Sequence, residues 1–533
     1  MSQHHKDADL IIIGGGINGV AVAREAALNG LHPHLIEARD LCYGTSAGST
    51  RLIHGGLRYL EHFEFGLVFE SLRERELLLK QRPWRVSELE LQLAVQEGDP
   101  HWVATLRLGL WLYEAMAGRP FGGEVRSLSA ETLRSRFPDF REDGLKGALR
   151  YLDAQVRYPE RLVVELMTDA VHAGASCDIG VRVEALIRDD SGIVGVELSD
   201  GRLLYAPLII NAAGHWVDQL MKRSESRAEP MLHTTRGSHI MLPRRAGHPA
   251  SGLYVQARSD GRPFFLIPWG DSLWGGTTDI YHVQPDHWYA TEDEIDYLLD
   301  EANQLLPKAN YERRDIILTR AGIRPLVRKS GPRVKEGAVS RAHQVIGPRD
   351  ARGEAGLINL LGGKLTTHRS LAEETIRKAM KILGKKHTHS TRRRTVVMPV
   401  LTDADRPDQL DKDLFDRIAR VYGPYGRDIF DHIRDDPTLA EPLVQGLPVI
   451  KGEIVHATSM EYAATLDDIF ARRCMLTTED LPWHERTKDL AKAVGELLHW
   501  SDQECDEQHS VWMTAIGRHD PFTAKKIAAL NTD

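Results

Sequence analysis

The chain has 533 residues, of which 42% are hydrophobic and 27% are charged, a composition typical of globular proteins with more than one domain. Its formal net charge of −8 argues against generic nucleic-acid binding. Its four cysteines lack Cys-x-x-Cys and zinc-site spacing, which predicts a reduced, cytoplasmic protein without a structural metal.

The first predicted elements are a strand, a glycine turn and a helix. Residues 9–19 read DLIIIGGGING and contain Gly-x-Gly-x-x-Gly at Gly14, Gly16 and Gly19. Gly14 permits a tight turn, Gly16 lets the backbone approach a pyrophosphate, and Gly19 lets helix and strand pack. The helix N-terminus favours phosphates, and Glu37, which ends the next strand, is spaced to bind a ribose. Together these features predict dinucleotide binding rather than a structural glycine turn.

The middle of the chain alternates between helical and extended patterns. Helices are predicted at 65–81 and 292–306 from the spacing of their apolar residues. A hairpin is predicted at 181–205, followed by a buried strand within 207–214. Short apolar strands within 236–280 predict an antiparallel sheet that forms the floor of a substrate site.

The last third of the chain changes character. Residues 357–367 again lead from a strand into a glycine turn and a helix. The pattern after residue 400 is mainly helical, including a helix expected at 457–475. We therefore predict an oxidoreductase region at 1–385, a basic linker at 386–400 and a helical domain at 401–533.

Three segments far apart in sequence, at 9–19, 207–214 and 357–367, are predicted to face a cofactor. This spread suits a long flavin dinucleotide that lies across a domain better than a nicotinamide cofactor held in one compact domain. The chain resembles the FAD-dependent, quinone-linked glycerol-3-phosphate dehydrogenases, which belong to the glutathione-reductase-like flavoproteins. The most demanding matches are HGGLRY at 54–59 and GGKLTT at 362–367. The segments that carry the resemblance follow the family's order and are 9–19, 52–61, 211–216, 237–240, 275–279, 322–326 and 362–367.

The resemblance implies an α/β fold with three parts. These are a glutathione-reductase-like FAD-binding Rossmann domain, an antiparallel-sheet substrate domain inserted at about 60–180 and 220–345, and a C-terminal α-helical domain. It also implies oxidation of sn-glycerol 3-phosphate to dihydroxyacetone phosphate by hydride transfer to FAD, with electrons passed to membrane quinone.

The resemblance also assigns the substrate side of the site. His239 is the candidate base, since imidazole titrates near neutral pH, and His54 is the competing histidine. Arg58 and Arg324 match the substrate positions, and the planar fork of arginine suits a phosphate. Tyr59 is placed to hydrogen-bond the substrate or to pack under it.

The cofactor side combines the glycine fingerprint with the family match. Lys364 is expected to stabilise the negative charge that develops on the flavin during reduction. The expected cofactor-binding residues are Gly14, Gly16, Asn18, Gly19, Glu37, Thr45, Ser46, Ser49, His54, Gly55, Gly214, Trp216, Gly363, Lys364, Leu365 and Thr366. No residue matches a covalent flavin site, and no metal is expected.

The chain departs from the family pattern in three places. His215 stands where the family usually has proline, and His368 replaces a common tyrosine. Residues 158–162 replace a more acidic segment, which is expected to alter a wall on the substrate side. The exact polyol phosphate therefore stays open, with erythritol 4-phosphate as an alternative.

Residues 101–113 are rich in leucine and tryptophan and are predicted to form a helix. A helix of this kind lies either in a membrane interface or in a protein core. The resemblance favours peripheral attachment to the cytoplasmic face of the inner membrane, with quinone as the electron acceptor, and it allows a homodimer. The alternatives are an oxidase that uses oxygen and a non-catalytic flavoprotein, although the presence of Arg58, His239, Arg324 and Lys364 argues against the latter.

Overall fold

A computed structural model of the chain describes residues 7–57, 60, 64–97, 103–119, 125–141, 143–224, 229–248, 250–328, 342–393 and 398–530. Arg58 and Tyr59, two of the predicted substrate residues, lie outside the described residues. The strands are β1 (Leu10–Ile13), β2 (Pro33–Glu37), β3 (Leu52–Ile53), β4 (Val86–Gln96), β5 (Arg126–Ser129), β6 (Leu145–Val156), β7 (Ser176–Ile179), β8 (Val183–Asp189), β9 (Gly192–Leu198), β10 (Leu203–Tyr205), β11 (Ile209–Asn211), β12 (Leu232–Pro243), β13 (Gly252–Gln256), β14 (Pro263–Trp269), β15 (Ser272–Gly276), β16 (Ile280–Tyr281), β17 (Leu318–Val327), β18 (Gln344–Ile346) and β19 (Leu357–Leu361). The α-helices are α1 (Ile17–Leu28), α2 (Phe65–Gln81), α3 (Val103–Met116), α4 (Ala130–Arg136), α5 (Pro159–His172), α6 (Val217–Arg223), α7 (Glu292–Leu305), α8 (His368–Ile382), α9 (Lys412–Tyr422), α10 (Gly426–Asp435), α11 (Lys451–Ser459), α12 (Thr487–Leu498), α13 (Asp502–His519) and α14 (Pro521–Leu530).

The first sheet has the strand order β18-β19-β11-β1-β2-β7 and is parallel except for β18. Its central strands β1, β11 and β19 are fully buried, as expected for a parallel sheet covered on both faces. The carboxyl ends of β1, β2, β11 and β19 meet at one edge of the sheet. The predicted glycine turn, Glu37 and the turn after Leu361 are therefore brought together there, where such sheets bind ligands.

The second sheet has the strand order β16-β12-β15-β14-β13-β4-β6-β3, with β17 beside β12 and β5 beside β6. It contains the short strands predicted at the substrate side. Its pairs are antiparallel apart from β13 and β4, which are parallel, so the sheet is mixed. The register places His239 of β12 opposite Gly276 of β15 and Arg320 of β17. The hairpin predicted at 181–205 is confirmed and gains a third strand, β10.

The helix predicted over 457–475 is wrong as a single element. Helix α11 ends at Ser459, and a π-helical turn follows at Asp468–Arg473. Between them Tyr462 has a left-handed backbone with φ of 61°, and the Asp468 carboxylate accepts hydrogen bonds from the N–H groups of residues 464 and 465. This capping starts a new helical segment, which sequence periodicity does not reveal.

The side chains of Tyr158 and Arg161 contact carboxylates of the C-terminal region, and the expected change in a substrate wall at 158–162 stays a prediction. The buried Tyr158 hydroxyl donates to the Glu479 carboxylate at 2.5 Å. Arg161 donates to both carboxylate oxygens of Glu461 at 2.6 Å. The departure from the family pattern therefore serves the packing of the C-terminal region on α5.

The described part of the predicted linker packs on the first sheet's helices. The backbone N–H groups of Thr388 and His389 donate to the Asn29 side-chain oxygen at 3.1 and 2.9 Å. Thr391 accepts a hydrogen bond from Arg369 at 3.2 Å. The domain boundaries at 385 and 400 stay predictions.

Candidate active site

A cavity of about 360 Å³ lies where the glycine turn meets the ends of β2, β11 and β19. The three strand-and-turn segments that the sequence predicted at 9–19, 207–214 and 357–367 all contribute to the cavity wall. The predicted residues that line it are Gly14, Gly16, Asn18, Glu37, Thr45, Ser46, Ser49, Gly214, Trp216, Gly363, Lys364 and Leu365.

The three glycines of the turn have different surroundings. Gly14 has a φ of 109°, which favours glycine, and a Cβ at Gly19 would lie 1.8 Å from the Gly14 carbonyl oxygen. Gly19 therefore serves helix–strand packing and does not line the cavity. A Cβ at Gly16 would meet only the Ser46 hydroxyl, at 3.5 Å, so this backbone is open to a ligand. The N-terminus of α1 starts here and favours a phosphate.

The Glu37 carboxylate closes one side of the turn. It accepts hydrogen bonds from the N–H groups of Gly15 at 2.6 Å and Arg39 at 2.8 Å. Burial raises the pKa of Glu37, while these two hydrogen bonds act in the opposite direction. The carboxylate thus lies on the cavity wall at the end of β2, where the ribose interaction was predicted.

Asn18 and the turn at Gly362 and Gly363 meet across the cavity. The Asn18 amide donates to the Gly362 carbonyl at 3.3 Å, and both glycines have left-handed backbones. The Asn18 Oδ1 atom is buried and has no hydrogen-bond partner among the residues that the structure describes. A buried acceptor of this kind suits a bound donor, so the wall fits a polar dinucleotide.

The loop after β2 is anchored by its own hydroxyl groups. The Thr45 hydroxyl donates to the Ile323 carbonyl at 2.6 Å and lies 3.0 Å from His215 Nδ1. The Ser46 hydroxyl accepts a hydrogen bond from the Ile17 N–H at 3.1 Å, which caps the first turn of α1. These contacts hold the loop between the cofactor cavity and β17.

His54, Gly55 and Thr366 lie behind the cavity wall. The Thr366 hydroxyl accepts a hydrogen bond from the His54 N–H at 3.1 Å. The Gly55 N–H donates to the Tyr113 hydroxyl at 2.7 Å, and that hydroxyl donates to Asp153 at 2.8 Å. The sequence analysis missed Tyr113 and Asp153, because buried hydrogen-bonding groups on distant elements leave no local motif.

Lys364 lines the cavity between the Gly362–Gly363 turn and the N-terminus of α8. Its ammonium group donates to the Ser71 hydroxyl of α2 at 3.2 Å. The lysine is therefore held at the cavity by a helix from another part of the chain. A cation here and a helix N-terminus both favour negative charge at the same place.

His239 of β12 and Arg324 of β17 lie on paired strands of the second sheet. His239 Nε2 lies 3.0 Å from the Thr50 hydroxyl, and its ring stacks on Trp274 with centroids 5.6 Å apart. Burial, then the positive charges of Arg324 and Arg51, lower the pKa of His239 to about 3. The imidazole is therefore neutral at physiological pH, the protonation state in which it can accept a proton.

The Arg324 guanidinium lies flat against the neighbouring strand. It donates to the Thr277 hydroxyl at 3.0 Å and to the Asp279 carboxylate at 3.0 Å, and a Cβ at Gly237 would lie 2.1 Å from it. Pro325, the next residue, lines the cofactor cavity. Neither His239 nor Arg324 lines the cavity itself, and both lie on the paired strands β12 and β17 of the second sheet.

A buried arginine that the sequence analysis missed supports His239 from behind. Arg51 is fully buried and donates to both oxygens of Glu160 at 3.0 and 2.8 Å. Its guanidinium carbon lies 4.7 Å from the Trp269 ring and 4.9 Å from the Trp274 ring. These contacts fix the tryptophan on which His239 stacks.

Two buried histidines predict a loss of stability in acid. Burial lowers the pKa of both His215 and His239 to about 3, whereas an unfolded histidine titrates near 6.5. Below pH 6.5 the unfolded chain therefore binds protons that the folded chain does not, so stability falls as pH falls. Each histidine contributes a loss of about 2 kcal/mol between pH 7 and pH 5.

Urea unfolding of the wild type and a His215→Gln variant at both pH values checks this expectation. The variant should lose about 2 kcal/mol less than the wild type on acidification, because it lacks one of the two groups. Equal losses would contradict the assignment of a neutral, buried His215.

Family models and named relatives indicate the family to which the chain belongs. A family model described as FAD dependent oxidoreductase matches residues 9–374, and one described as the C-terminal domain of alpha-glycerophosphate oxidase matches residues 357–505. A protein of Synechocystis sp. named glycerol-3-phosphate dehydrogenase is 36% identical over 529 residues, which cover 94% of this chain and 94% of that protein.

Solved structures share the fold. The X-ray structure of the glycerol-3-phosphate dehydrogenase from Bacillus halodurans complexed with FAD has a TM-score of 0.76 at 23% identity and covers 97% of this chain and 95% of that chain. Dithionite-reduced L-alpha-glycerophosphate oxidase from Mycoplasma pneumoniae with FAD bound has a TM-score of 0.55 at 18% identity, covering 71% and 95%. The chain therefore belongs to the FAD-dependent oxidoreductase family that includes the glycerol-3-phosphate dehydrogenases, and its cofactor is FAD.

Proposed function

We propose that this protein oxidises sn-glycerol 3-phosphate to dihydroxyacetone phosphate and passes the electrons to a membrane quinone. The observation that carries the proposal is a neutral, buried His239 on β12, whose imidazole feels the positive charge of Arg324 on the neighbouring strand β17. One residue suits the proton of a secondary alcohol and the other suits a phosphate. The name of the Synechocystis relative supports the same substrate.

FAD, when bound, supplies the hydride acceptor. The glycine turn, Asn18 and the loop at Thr45–Ser49 would hold it, and Lys364 would face the part of the flavin that becomes negative. Arg58 and Tyr59 are proposed to complete the substrate side.

His239 is proposed to accept the hydroxyl proton of the substrate. Burial and the charge of Arg324 both disfavour the imidazolium form. A phosphate dianion on Arg324 would offset the effect of that charge and raise the pKa of His239. Substrate binding would thus improve the base at the moment when it is needed.

Reoxidation of the reduced enzyme separates the candidate acceptors. Enzyme reduced by glycerol 3-phosphate is mixed either with a short-chain ubiquinone or with oxygen, and hydrogen peroxide is measured in the second case. We expect fast reoxidation by quinone and little peroxide. Fast peroxide formation would favour an oxidase, the class to which the Mycoplasma pneumoniae neighbour belongs by name.

A comparison of polyols separates the candidate substrates. Flavin reduction rates are measured with glycerol 3-phosphate, erythritol 4-phosphate and free glycerol. We expect glycerol 3-phosphate to react fastest and glycerol to react poorly, since glycerol lacks the group that Arg324 would bind. Faster reduction by erythritol 4-phosphate would reassign the substrate within the polyol phosphates.

We further propose that helices α2 and α3 attach the protein to the inner membrane at its cytoplasmic face. No helix in the described ranges is long and apolar enough to span a bilayer. Helix α3 confirms the helix predicted from the sequence, and it packs against α2. Large apolar side chains on the outer side of this pair are 40–59% exposed, and they are Phe65, Phe69, Leu108 and Leu112.

Cations accompany this apolar surface. The Arg73 guanidinium lies 5.9 Å from the Phe69 ring, and the Arg107 guanidinium lies 6.0 Å from the Trp111 ring. Apolar side chains flanked by arginines suit the boundary between acyl chains and anionic headgroups. The homodimer stays a prediction.

Replacing Phe69 and Leu108 together with serine tests the membrane surface. Each side chain contributes up to about 1.5–3 kcal/mol when fully buried, so the double variant should bind vesicles at least about tenfold more weakly. Co-sedimentation with phosphatidylglycerol vesicles measures the change. Leu203→Ser is the matched control, because Leu203 is 51% exposed on β10, away from these helices. Equal binding by all three proteins would contradict the assignment.

A further inference from the structure

The loop between β2 and β3 supplies Thr45, Ser46 and Ser49 to the cofactor cavity. It consists of turns and forms no regular helix or strand over residues 39–51. Its shape must therefore be fixed by contacts with other segments. Its outer side is covered by residues from the C-terminal helical region.

Two adjacent arginines of the π-helical turn hold the start of this loop. Arg473 donates to both carboxylate oxygens of Asp40, at 2.9 and 2.7 Å, and Arg472 donates to the same carboxylate at 2.5 Å. Asp40 is 1% exposed and Arg473 is fully buried. Burial alone would raise the pKa of Asp40, but the two arginines outweigh it and lower the pKa, so the carboxylate is ionised.

A second contact lies three residues further along the loop. The Tyr43 hydroxyl is hydrogen-bonded to His519 Nε2 at 2.7 Å, and the Arg472 guanidinium lies 5.5 Å from the Tyr43 ring. Tyr43 also lines the cofactor cavity. The C-terminal region thus contacts Tyr43, a side chain that also forms part of the inner wall of the cofactor site.

A third contact fixes the strand against which the loop packs. The Asp520 carboxylate accepts hydrogen bonds from the N–H and the hydroxyl of Thr319 on β17, at 3.0 and 2.6 Å. A Cβ at Gly48 of the loop would lie 2.3 Å from the Ala321 carbonyl, so the loop and β17 are in close backbone contact. The C-terminal region therefore contacts both the loop and the strand β17 on which the loop packs.

We propose that the C-terminal helical region is a clamp for the cofactor, in which Arg472 and Arg473 position the FAD-binding loop through Asp40. Asp40, Arg472 and Arg473 are positioning residues, since none of them lines the cavity. The clamp holds the hydroxyl groups of the loop where the cofactor binds. This proposal rests on FAD binding and does not depend on the identity of the substrate or of the electron acceptor.

The alternative is that these ion pairs only stabilise the packing of the C-terminal region. A matched pair of variants separates the two possibilities. Asp40→Asn removes the charge that holds the loop, whereas Glu165→Gln removes an equally buried charge of α5 that pairs with Arg85. Both changes are close to isosteric, and both leave buried arginines with less compensation, so both should lower the melting temperature.

FAD dissociation from each holoenzyme is followed by the rise of free-flavin fluorescence after dilution. We expect Asp40→Asn to release FAD at least tenfold faster than the wild type and Glu165→Gln to stay within twofold of it. Asp40→Glu, which keeps the charge, should recover part of the affinity. Equal release from Asp40→Asn and wild type, or an equal increase in both variants, would overturn the clamp.

Tyr43→Phe provides a second measurement should Asp40→Asn not fold. It removes the hydroxyl that contacts His519 and Arg518 of the C-terminal region and Arg39 of the loop, and it keeps the ring in the cavity wall. We expect FAD release about threefold faster, with a change in the visible flavin spectrum that Glu165→Gln does not produce. An unchanged release rate and an unchanged spectrum would likewise overturn the proposal.

Discussion

We expect a His239→Asn variant to reduce its flavin with glycerol 3-phosphate about 10²- to 10⁴-fold more slowly than the wild type, the usual contribution of a positioned general base. Asparagine keeps a polar group near Thr50 but offers no nitrogen that accepts a proton. The buried ring on Trp274 is replaced by a smaller group, so FAD content is measured alongside the rate. Stopped-flow absorbance under anaerobic conditions measures the reduction step directly.

His233→Asn is the matched control for this experiment. His233 lies on the same strand β12, but its ring stacks on Tyr281 at 5.0 Å, whereas the His239 ring stacks on Trp274. We expect its reduction rate to remain close to that of the wild type. If His239→Asn also reduced its flavin at the wild-type rate, the base would have to be sought elsewhere, first at His54.

An Arg324→Met variant should weaken the binding of glycerol 3-phosphate by about tenfold to a hundredfold. Loss of a charge-assisted hydrogen bond costs roughly 1.5–3 kcal/mol, and each 1.4 kcal/mol is about a factor of ten in affinity. The Arg324 guanidinium also pairs with Asp279, so the phosphate competes with that carboxylate. We therefore expect a loss nearer the lower end of the range.

The dependence of the flavin reduction rate on substrate concentration measures this effect. It separates the dissociation constant from the limiting rate, and only the former should change strongly. Arg313→Met is the control, because Arg313 is exposed and pairs with Glu292 and Asp296 far from the cavity. An unchanged dissociation constant in Arg324→Met would rule out its phosphate role.

The glycine turn could be predicted because its requirements are local. Gly14 has a left-handed backbone, which favours glycine, and a Cβ at Gly19 would lie 1.8 Å from a carbonyl oxygen. The glycines in the sequence therefore indicate the turn by themselves. The pairing of His239 with Arg324 is different in kind. It depends on the pairing of β12 with β17, strands about 80 residues apart, whose register sets His239 opposite Arg320 and Arg324 opposite Thr235. Only the family resemblance placed these two residues in one site in advance.

The buried ion pairs could not be predicted from the sequence. Arg51, Arg161 and Arg473 are fully buried, yet in the sequence they are indistinguishable from arginines on a solvated surface. Their burial depends on carboxylates from distant segments, such as Asp40 for Arg473. The break after α11 has the same origin, since Glu461 leaves the helical path to meet Arg161.

The most direct test of the account is anaerobic mixing of the flavin-loaded protein with glycerol 3-phosphate while the visible flavin absorbance is recorded. We expect rapid bleaching of the oxidised flavin, faster than with any unphosphorylated polyol. Bleaching by dithionite but not by glycerol 3-phosphate would contradict the proposed substrate and leave the protein a flavoprotein of another specificity.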